Sequence, residues 1–152
     1  MNQADLGTVI RLAPLIAIDF IIHNARDEVL LGLRNNEPAR DWYFVPAGMI
    51  LKNERLADAF SRLLKTETNY AASIDDARLI GAFEHFYKNN RFGAPDYGTH
   101  YVVLGYELKV RGTDEPKADD QHSEMRWWPL AELLASDRVH KNTKAYFAPS
   151  KT

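Results

Sequence analysis

Leu56, Phe60, Leu63 and Leu64 recur at helical spacing and draw one apolar stripe along the stretch LADAFSRLLKTET. This is the long helix of the chain, and nearly everything around it has the character of strand, so the stripe needs a sheet to bury against. Asn53 is the expected N-cap, Glu54 suits the positive end of the helix dipole, and Asn69 can take the left-handed conformation that closes the helix. Glu67 is out of place. At about 100° per residue it lies within roughly 20° of Leu56 and Phe60, inside the apolar stripe. Two readings stay open at this point. Either the carboxylate tilts out to solvent at the helix end, or that end of the stripe borders a cleft where a cation compensates a partly dehydrated charge. Magnesium would suit the second, since it takes oxygen ligands and keeps waters in its remaining positions.

Around the helix the elements follow in order. Asp5 to Leu12 reads as a short lead-in helix stopped by Pro14. Leu15 to His23 is an isoleucine-rich strand, Asn24 to Asp27 its turn, and Glu28 to Arg34 its hairpin partner. Trp42 to Val45 is a short strand ending at Pro46. Arg78 to Tyr87 and Thr99 to Val110 are long strands around a loop carrying Gly93, Pro95 and Gly98. After a charged loop from Gly112 to Asp120 come a strand at Glu124 to Trp128, a helix from Pro129 to about Ser136, and a last helical turn from Asn142 to Phe147. The expected class is α+β, a mixed sheet held between helices, with residues 1–152 as one domain; strand order is not readable from the pattern.

Charge and composition narrow the partners. Nineteen Lys and Arg against 21 Asp and Glu give a net charge of -2 with no basic tract, which argues against nucleic acid or an anionic membrane. The chain has no cysteine, which excludes disulfides, thiolate nucleophiles and zinc–thiolate sites. The longest apolar run, Leu15 to Ile22, is broken by Asp19 and is too short to span a bilayer, and Met1 to Asp5 do not open a secretory signal. A cytoplasmic location is the default expectation.

Gly48, Glu54, Arg62, Leu64, Glu67 and Tyr70 stand at the spacing of a known signature: glycine, five residues, glutamate, seven residues, then arginine-glutamate-apolar-x-glutamate-glutamate-x-glycine-apolar. That box resembles the one of the Nudix hydrolases. Leu63 and Thr66 replace two of its glutamates, and Asn69 replaces its second glycine. The GDP-mannose mannosyl hydrolase branch lacks those same two glutamates and keeps the last. PLIAIDFII, LLGLRNNEPA, WYFVPAG, EHFYKNN, THYVVLGY, DQHSEMRWW and LLASDRVHKNTKAYF also resemble that branch, from Pro14 to Phe147. The resemblance implies the Nudix fold, a homodimer, and one Mg2+ per subunit, with Mn2+ as an alternative. It further implies hydrolysis of a GDP-hexose (GDP-mannose or GDP-glucose) to GDP and free sugar, by inverting attack of water at the anomeric carbon.

Carried over by position, the metal ligands would be Glu67, the Gln121 side-chain oxygen and the Ala47 carbonyl, where the family has glycine. His122 would be the general base, since a neutral imidazole accepts a proton from water near neutral pH. Arg34 would clamp the diphosphate with its planar fork, and Arg62 would bridge to Glu54 or another carboxylate and orient the metal site. His85 is expected as a cation near the leaving group and Tyr101 as a hydroxyl for phosphate or sugar. Asp19 faces either the exterior or the sugar hydroxyls. Trp42, Phe86 and Tyr87 either stack on a purine or pack in the core.

Met49 is the sharpest departure. The family has an arginine there, and a lost contact to a charged transition-state oxygen costs about 2.7–4 kcal/mol. Slow turnover, compensation by Lys52 or Arg91, or a different nucleotide sugar would each accommodate it. Beside the main reading stand a Nudix pyrophosphohydrolase that attacks phosphorus and a catalytically weak domain that only binds a nucleotide sugar. Leu63 and Thr66 count against the former, and joint retention of Glu67, Gln121 and His122 counts against the latter.

Overall fold

The computed structural model describes residues 1–112 and 122–148, with the backbone alone for residues 122 and 123. In chain order these form α1 (Gln3–Leu12), β1 (Leu15–His23), β2 (Val29–Arg34), β3 (Tyr43–Phe44), β4 (Ala47–Met49), α2 (Leu56–Thr68), β5 (Arg78–Tyr87), β6 (Thr99–Lys109), β7 (His122–Trp128), α3 (Leu130–Ala135) and α4 (Lys141–Lys144). Short 3-10 turns at Ile74–Asp76 and Ala145–Phe147 complete the set. Seven strands make one mixed sheet in the order β3-β2-β1-β6-β5, with β4 added to β1 and β7 to β2. The α+β architecture expected from the sequence is the one observed.

β1 is the axis of the sheet, and its near-continuous apolar sequence is why: both of its faces are covered. Ile18, Phe20 and Ile22 face Phe60, Leu63 and Leu64 of α2, whereas Ile21 joins Val29, Leu31, Leu133 and Val139 on the opposite side. Helices thus cover both faces. Phe60 is fully buried, edge-on to Phe20 at 5.2 Å and to Tyr106 at 5.4 Å. Burying such a side chain stabilises the fold by roughly 1.5–3 kcal/mol. Among the described residues no helix is long and apolar enough to cross a membrane.

Pairing around β1 makes the opening that matters. One edge of β1 is taken along its whole length by β6, in parallel register from Leu15↔Tyr101 to His23↔Lys109. The other edge is shared: β2 pairs only at His23↔Val29, while β4 pairs at Ala17↔Met49, Ile18↔Gly48 and Asp19↔Ala47. β2 therefore parts from β1 where β4 begins, carrying Arg34 along the far wall of the gap.

Two local expectations change. The N-cap of α2 is Arg55, not Asn53, which sits in the left-handed region with φ 66°. Glu54 explains the difference, since its carboxylate accepts from the Leu51 amide at 3.1 Å and commits residues 51–54 to a turn before the helix starts. At the other end Asn69 takes φ 64° and closes the helix as expected. The strand expected at Trp42 to Val45 shrinks to Tyr43–Phe44, and a further short strand, β4, follows Pro46.

Candidate active site

A pocket of about 370 Å³ lies at the end of the sheet where β1 and β6 begin and β2 and β5 finish. Asp19, Arg34, His85 and Tyr101 line it from the sheet, and so do Ala47 from β4 and Arg62 and Glu67 from α2. Seven of the expected site residues thus meet in one cavity. His122 stands opposite Arg34 in the β2–β7 register, which puts its backbone at the same end of the sheet. Gln121 lies outside the described residues.

The corner between β4 and α2 is built by a close approach. A Cβ on Gly48 would lie 2.2 Å from Leu63 Cδ2, so glycine is what lets Leu63 of the helix lie directly against the strand. Phe20 donates its amide to the Pro46 carbonyl and Ile50 donates to Ile16. In an antiparallel ladder these positions alternate with ones whose polar groups face outward, so the carbonyls of Ala47 and Met49 point away from β1. The Met49 carbonyl is taken by an Arg62 terminal nitrogen at 3.0 Å. That guanidinium also grips Glu54, with Nε on Oε2 at 2.7 Å and the terminal nitrogen on Oε1 at 2.9 Å. These hydrogen bonds, with that of the Leu51 amide, hold the Glu54 carboxyl down at about 2. Arg62 therefore ties the loop before α2 to the helix and makes the Glu54 bridge that was one of its two expected partners.

Glu67 does not tilt out to solvent. It is only 3% exposed and lines the cavity, on the same helix as Leu63. Among the described residues no three His, Asp or Glu side chains gather as a metal cage. The donor set is one carboxylate with an outward carbonyl nearby, all oxygen and few in number. Such a set fits a hard cation like Mg2+ that keeps waters and takes further oxygens from a phosphate ligand.

Asp19 is buried, with its carboxylate accepting a hydrogen bond from the Tyr146 hydroxyl. Of its two expected orientations, the exterior one is thereby excluded. Burial pushes its carboxyl from the usual 3.8 up to about 7, against the opposing pull of the Tyr146 bond and the positive charge of Arg34. The folded chain then keeps a proton that the unfolded chain releases above about pH 4. Stability should fall as pH rises from about 4 to about 7 and level off above. In metal-free protein, this slope should amount to on the order of 4 kcal/mol relative to Asp19→Asn, at 1.36 kcal/mol per pH unit. Urea melts across the window measure it, and identical slopes in the two proteins would contradict the assignment.

Burial pushes the His85 imidazole down to about 4, so in the ligand-free protein its ring is neutral at physiological pH, which counts against the cation expected there. Tyr101 and Tyr87 both line the pocket, and burial raises both hydroxyls, Tyr87 to about 12, keeping them neutral donors. Tyr87 accepts from Asn142 Nδ2 at 3.1 Å, which leaves its own proton for another partner. Asn142 and Tyr146 escaped the sequence reading, since nothing in a helical turn near the chain end signals that it folds back behind β1. Among the described residues, the buried Nε of Arg34 meets no hydrogen-bond acceptor, and its guanidinium lies 5.8 Å from the Phe44 ring.

Trp42 and Phe86 do not line the pocket: Trp42 sits edge-on to His140, and Phe86 stacks on His100 with 65% of its surface exposed. Met49 does line it. Of the two compensating cations considered, Arg91 reaches the cavity and Lys52 does not.

Residues 13–149 match the family model described as NUDIX domain. The chain is 35% identical over 135 residues to the low-salt glycan biosynthesis protein Agl8 of Haloferax volcanii, covering 82% of this chain and 83% of that protein. Among solved structures, the NUDIX domain of Shewanella oneidensis NrtR in complex with ADP ribose superposes with a TM-score of 0.69 at 19% identity, over 96% of this chain and 94% of that one. The MutT protein of Methanosarcina mazei Go1 superposes with a TM-score of 0.66 at 18% identity, over 88% of each chain. At such identities the superpositions speak for the fold. None of these relatives singles out the GDP-mannose mannosyl hydrolase branch. The family match spans almost the whole described chain, and the chain belongs to the Nudix family.

Proposed function

We propose that this chain is a Nudix-type hydrolase of a nucleotide diphosphate compound, with a nucleotide sugar as the first candidate substrate. The observation that carries the reading is the cavity itself. It sets the buried carboxylate of Glu67 and the Ala47 strand beside a guanidinium, Arg34, whose Nε has no described acceptor. Oxygen donors for a divalent ion next to an arginine fork are what a diphosphate needs. The Agl8 relative, named for glycan biosynthesis, supports a sugar-bearing ligand.

Glu67 and the Ala47 carbonyl, with Gln121, would hold Mg2+, which when bound neutralises the diphosphate charge. Arg34 grips the phosphate oxygens, and Arg91 adds positive charge in place of the arginine missing at Met49. His122 is the residue assigned to take the proton from the attacking water. Asp19, Tyr101 and neutral His85 orient the remaining part of the substrate by hydrogen bonds.

Family membership favours the ordinary Nudix outcome, attack at phosphorus, over the attack at carbon expected from the branch resemblance. One feature supports the carbon route: Leu63 and Thr66 line the pocket where the signature has carboxylates, and of the box carboxylates Glu67 lines it while Glu54 does not. Fewer metal-binding carboxylates suit a reaction that needs leaving-group stabilisation more than activation of phosphorus. Turnover of a panel of nucleotide sugars with Mg2+ in oxygen-18 water separates the routes. Label in phosphate is the outcome expected of attack at phosphorus, and label in free sugar that of attack at carbon. Binding without any turnover would contradict an enzymatic role.

A further inference from the structure

Asp19 reaches the cavity from the middle of the sheet, and the group that holds it comes from outside the cavity. Gly81, Gly105, Asp19 and Ala47 stand side by side across β5, β6, β1 and β4. The two glycines leave the sheet bare next to the carboxyl, and the Tyr146 ring takes that space. A Cβ on Gly105 would lie 3.3 Å from Tyr146 Cε1, and the ring sits edge-on to Phe83 at a centroid distance of 4.7 Å. From there its hydroxyl donates to Asp19 Oδ2. Burial, and then the Asp19 charge, raise that hydroxyl above its ordinary value, so it keeps its proton. Asp19 lines the pocket and Tyr146 does not, so whatever the tyrosine does for a ligand passes through the carboxyl.

The bond is not what keeps the C-terminal turn in place. The His140 amide donates to the Tyr43 carbonyl at 3.1 Å, and Asn142 Nδ2 donates to the Tyr87 hydroxyl at 3.1 Å. The buried Thr143 hydroxyl accepts from the Val45 amide at 3.4 Å. With those ties made, phenylalanine at position 146 would fill the slot and pack on Phe83 as tyrosine does. The hydroxyl is the part that packing does not explain.

Burying a hydroxyl and a carboxyl together costs free energy that their bond does little more than offset. Its effect is directional. The terminal torsion of an aspartate is broad, so an untied carboxyl swings between orientations. A bond to Oδ2 stops the swing and leaves Oδ1 as the atom for a ligand to meet. Resting on the nucleotide-sugar reading above, we infer that Tyr146 is a positioning residue, which ties Asp19 Oδ2 so that Oδ1 receives a hydrogen-bond donor of the ligand.

Calorimetric binding of GDP-mannose, UDP-glucose and ADP-ribose, and of sugar-free GDP, UDP and ADP, tests this without relying on turnover. The full chain is used with Mg2+ at pH 8, where Asp19 is ionised. Tyr146→Phe should keep the native melt and weaken the best-bound nucleotide sugar about 3- to 10-fold, the worth of one hydrogen bond. In an Asp19→Ala background the same change should weaken it less than about twofold, because the hydroxyl then has no carboxyl to orient. A purely structural role for the ring would give the same loss with or without Asp19. Loss confined to the sugar-bearing ligand would support the assignment with the donor on the sugar, and loss shared with its sugar-free partner would support it with the donor on the nucleotide. Undiminished binding by Tyr146→Phe, or an equal loss in both backgrounds, would overturn the assignment while leaving the proposed function standing. Failure of every one of these ligands to bind the wild type would overturn both.

Discussion

Arg34→Ala is expected to lower kcat/KM about 10²- to 10³-fold while the fold survives, the usual scale for losing a donor to a charged reacting group. The side chain stands where β2 leaves β1, and among the described residues no salt bridge holds it that the substitution would break. Its fixed neighbour is the Phe44 ring, with a guanidinium-to-centroid distance of 5.8 Å. Little stability should go with it, within about 1 kcal/mol. Arg34→Lys should recover only part of the activity, since an ammonium has charge without the planar fork that meets two oxygens at once. Steady-state kinetics paired with thermal melts measure both effects. A fall in kcat/KM of less than about threefold would remove Arg34 from the substrate site.

Gly48→Ala is expected to cost about 1–3 kcal/mol of stability, as overpacked substitutions do, or several degrees in Tm for a chain of this size. The added carbon would lie 2.2 Å from Leu63 Cδ2, with Cγ at 3.2 Å and Cδ1 at 3.3 Å. All three atoms crowd the position, so Leu63 must turn away from β4, toward the pocket that it also lines. That rotation, or a small parting of α2 from β4, disturbs the corner that carries Ala47 and Glu67, so divalent-ion affinity should fall along with Tm. Leu63→Ala alone should cost about 2–5 kcal/mol through the cavity it leaves. The double substitution should cost less than the two together by more than about 0.5 kcal/mol, because each relieves the other's defect. Strict additivity would show that Gly48 is not there for helix approach.

How much of this was legible before any coordinates depended on the range of the physics involved. The α2 stripe, the Asn69 closure and the odd position of Glu67 are local and periodic, and all three hold. Asp19 was legible as an anomaly, because a carboxylate inside an isoleucine strand needs a partner. The partner itself, Tyr146, is 127 residues away in sequence, and no spacing rule reaches that far. The parallel pairing of β1 with β6 was hidden for the same reason. The neutral state of the His85 ring was not legible, because it follows from burial, which only the packed structure supplies. The false N-cap at Asn53 came from applying a sound preference without Glu54, whose carboxylate was already engaged by Arg62 and the Leu51 amide. The cavity gathers residues named in the sequence because β1 and β6 begin and β2 and β5 finish on one side of the sheet, with Arg62 and Glu67 of α2 facing in.

Manganese titration followed by electron paramagnetic resonance, with GDP present, tests the centre of this account most directly. Wild-type chain should bind one Mn2+ in the pocket, and Glu67→Gln should weaken that binding by at least tenfold without loss of the native melt. Equal Mn2+ affinity in the two proteins would mean that the buried carboxylate of α2 holds no metal, and the site built around it would fall with that result.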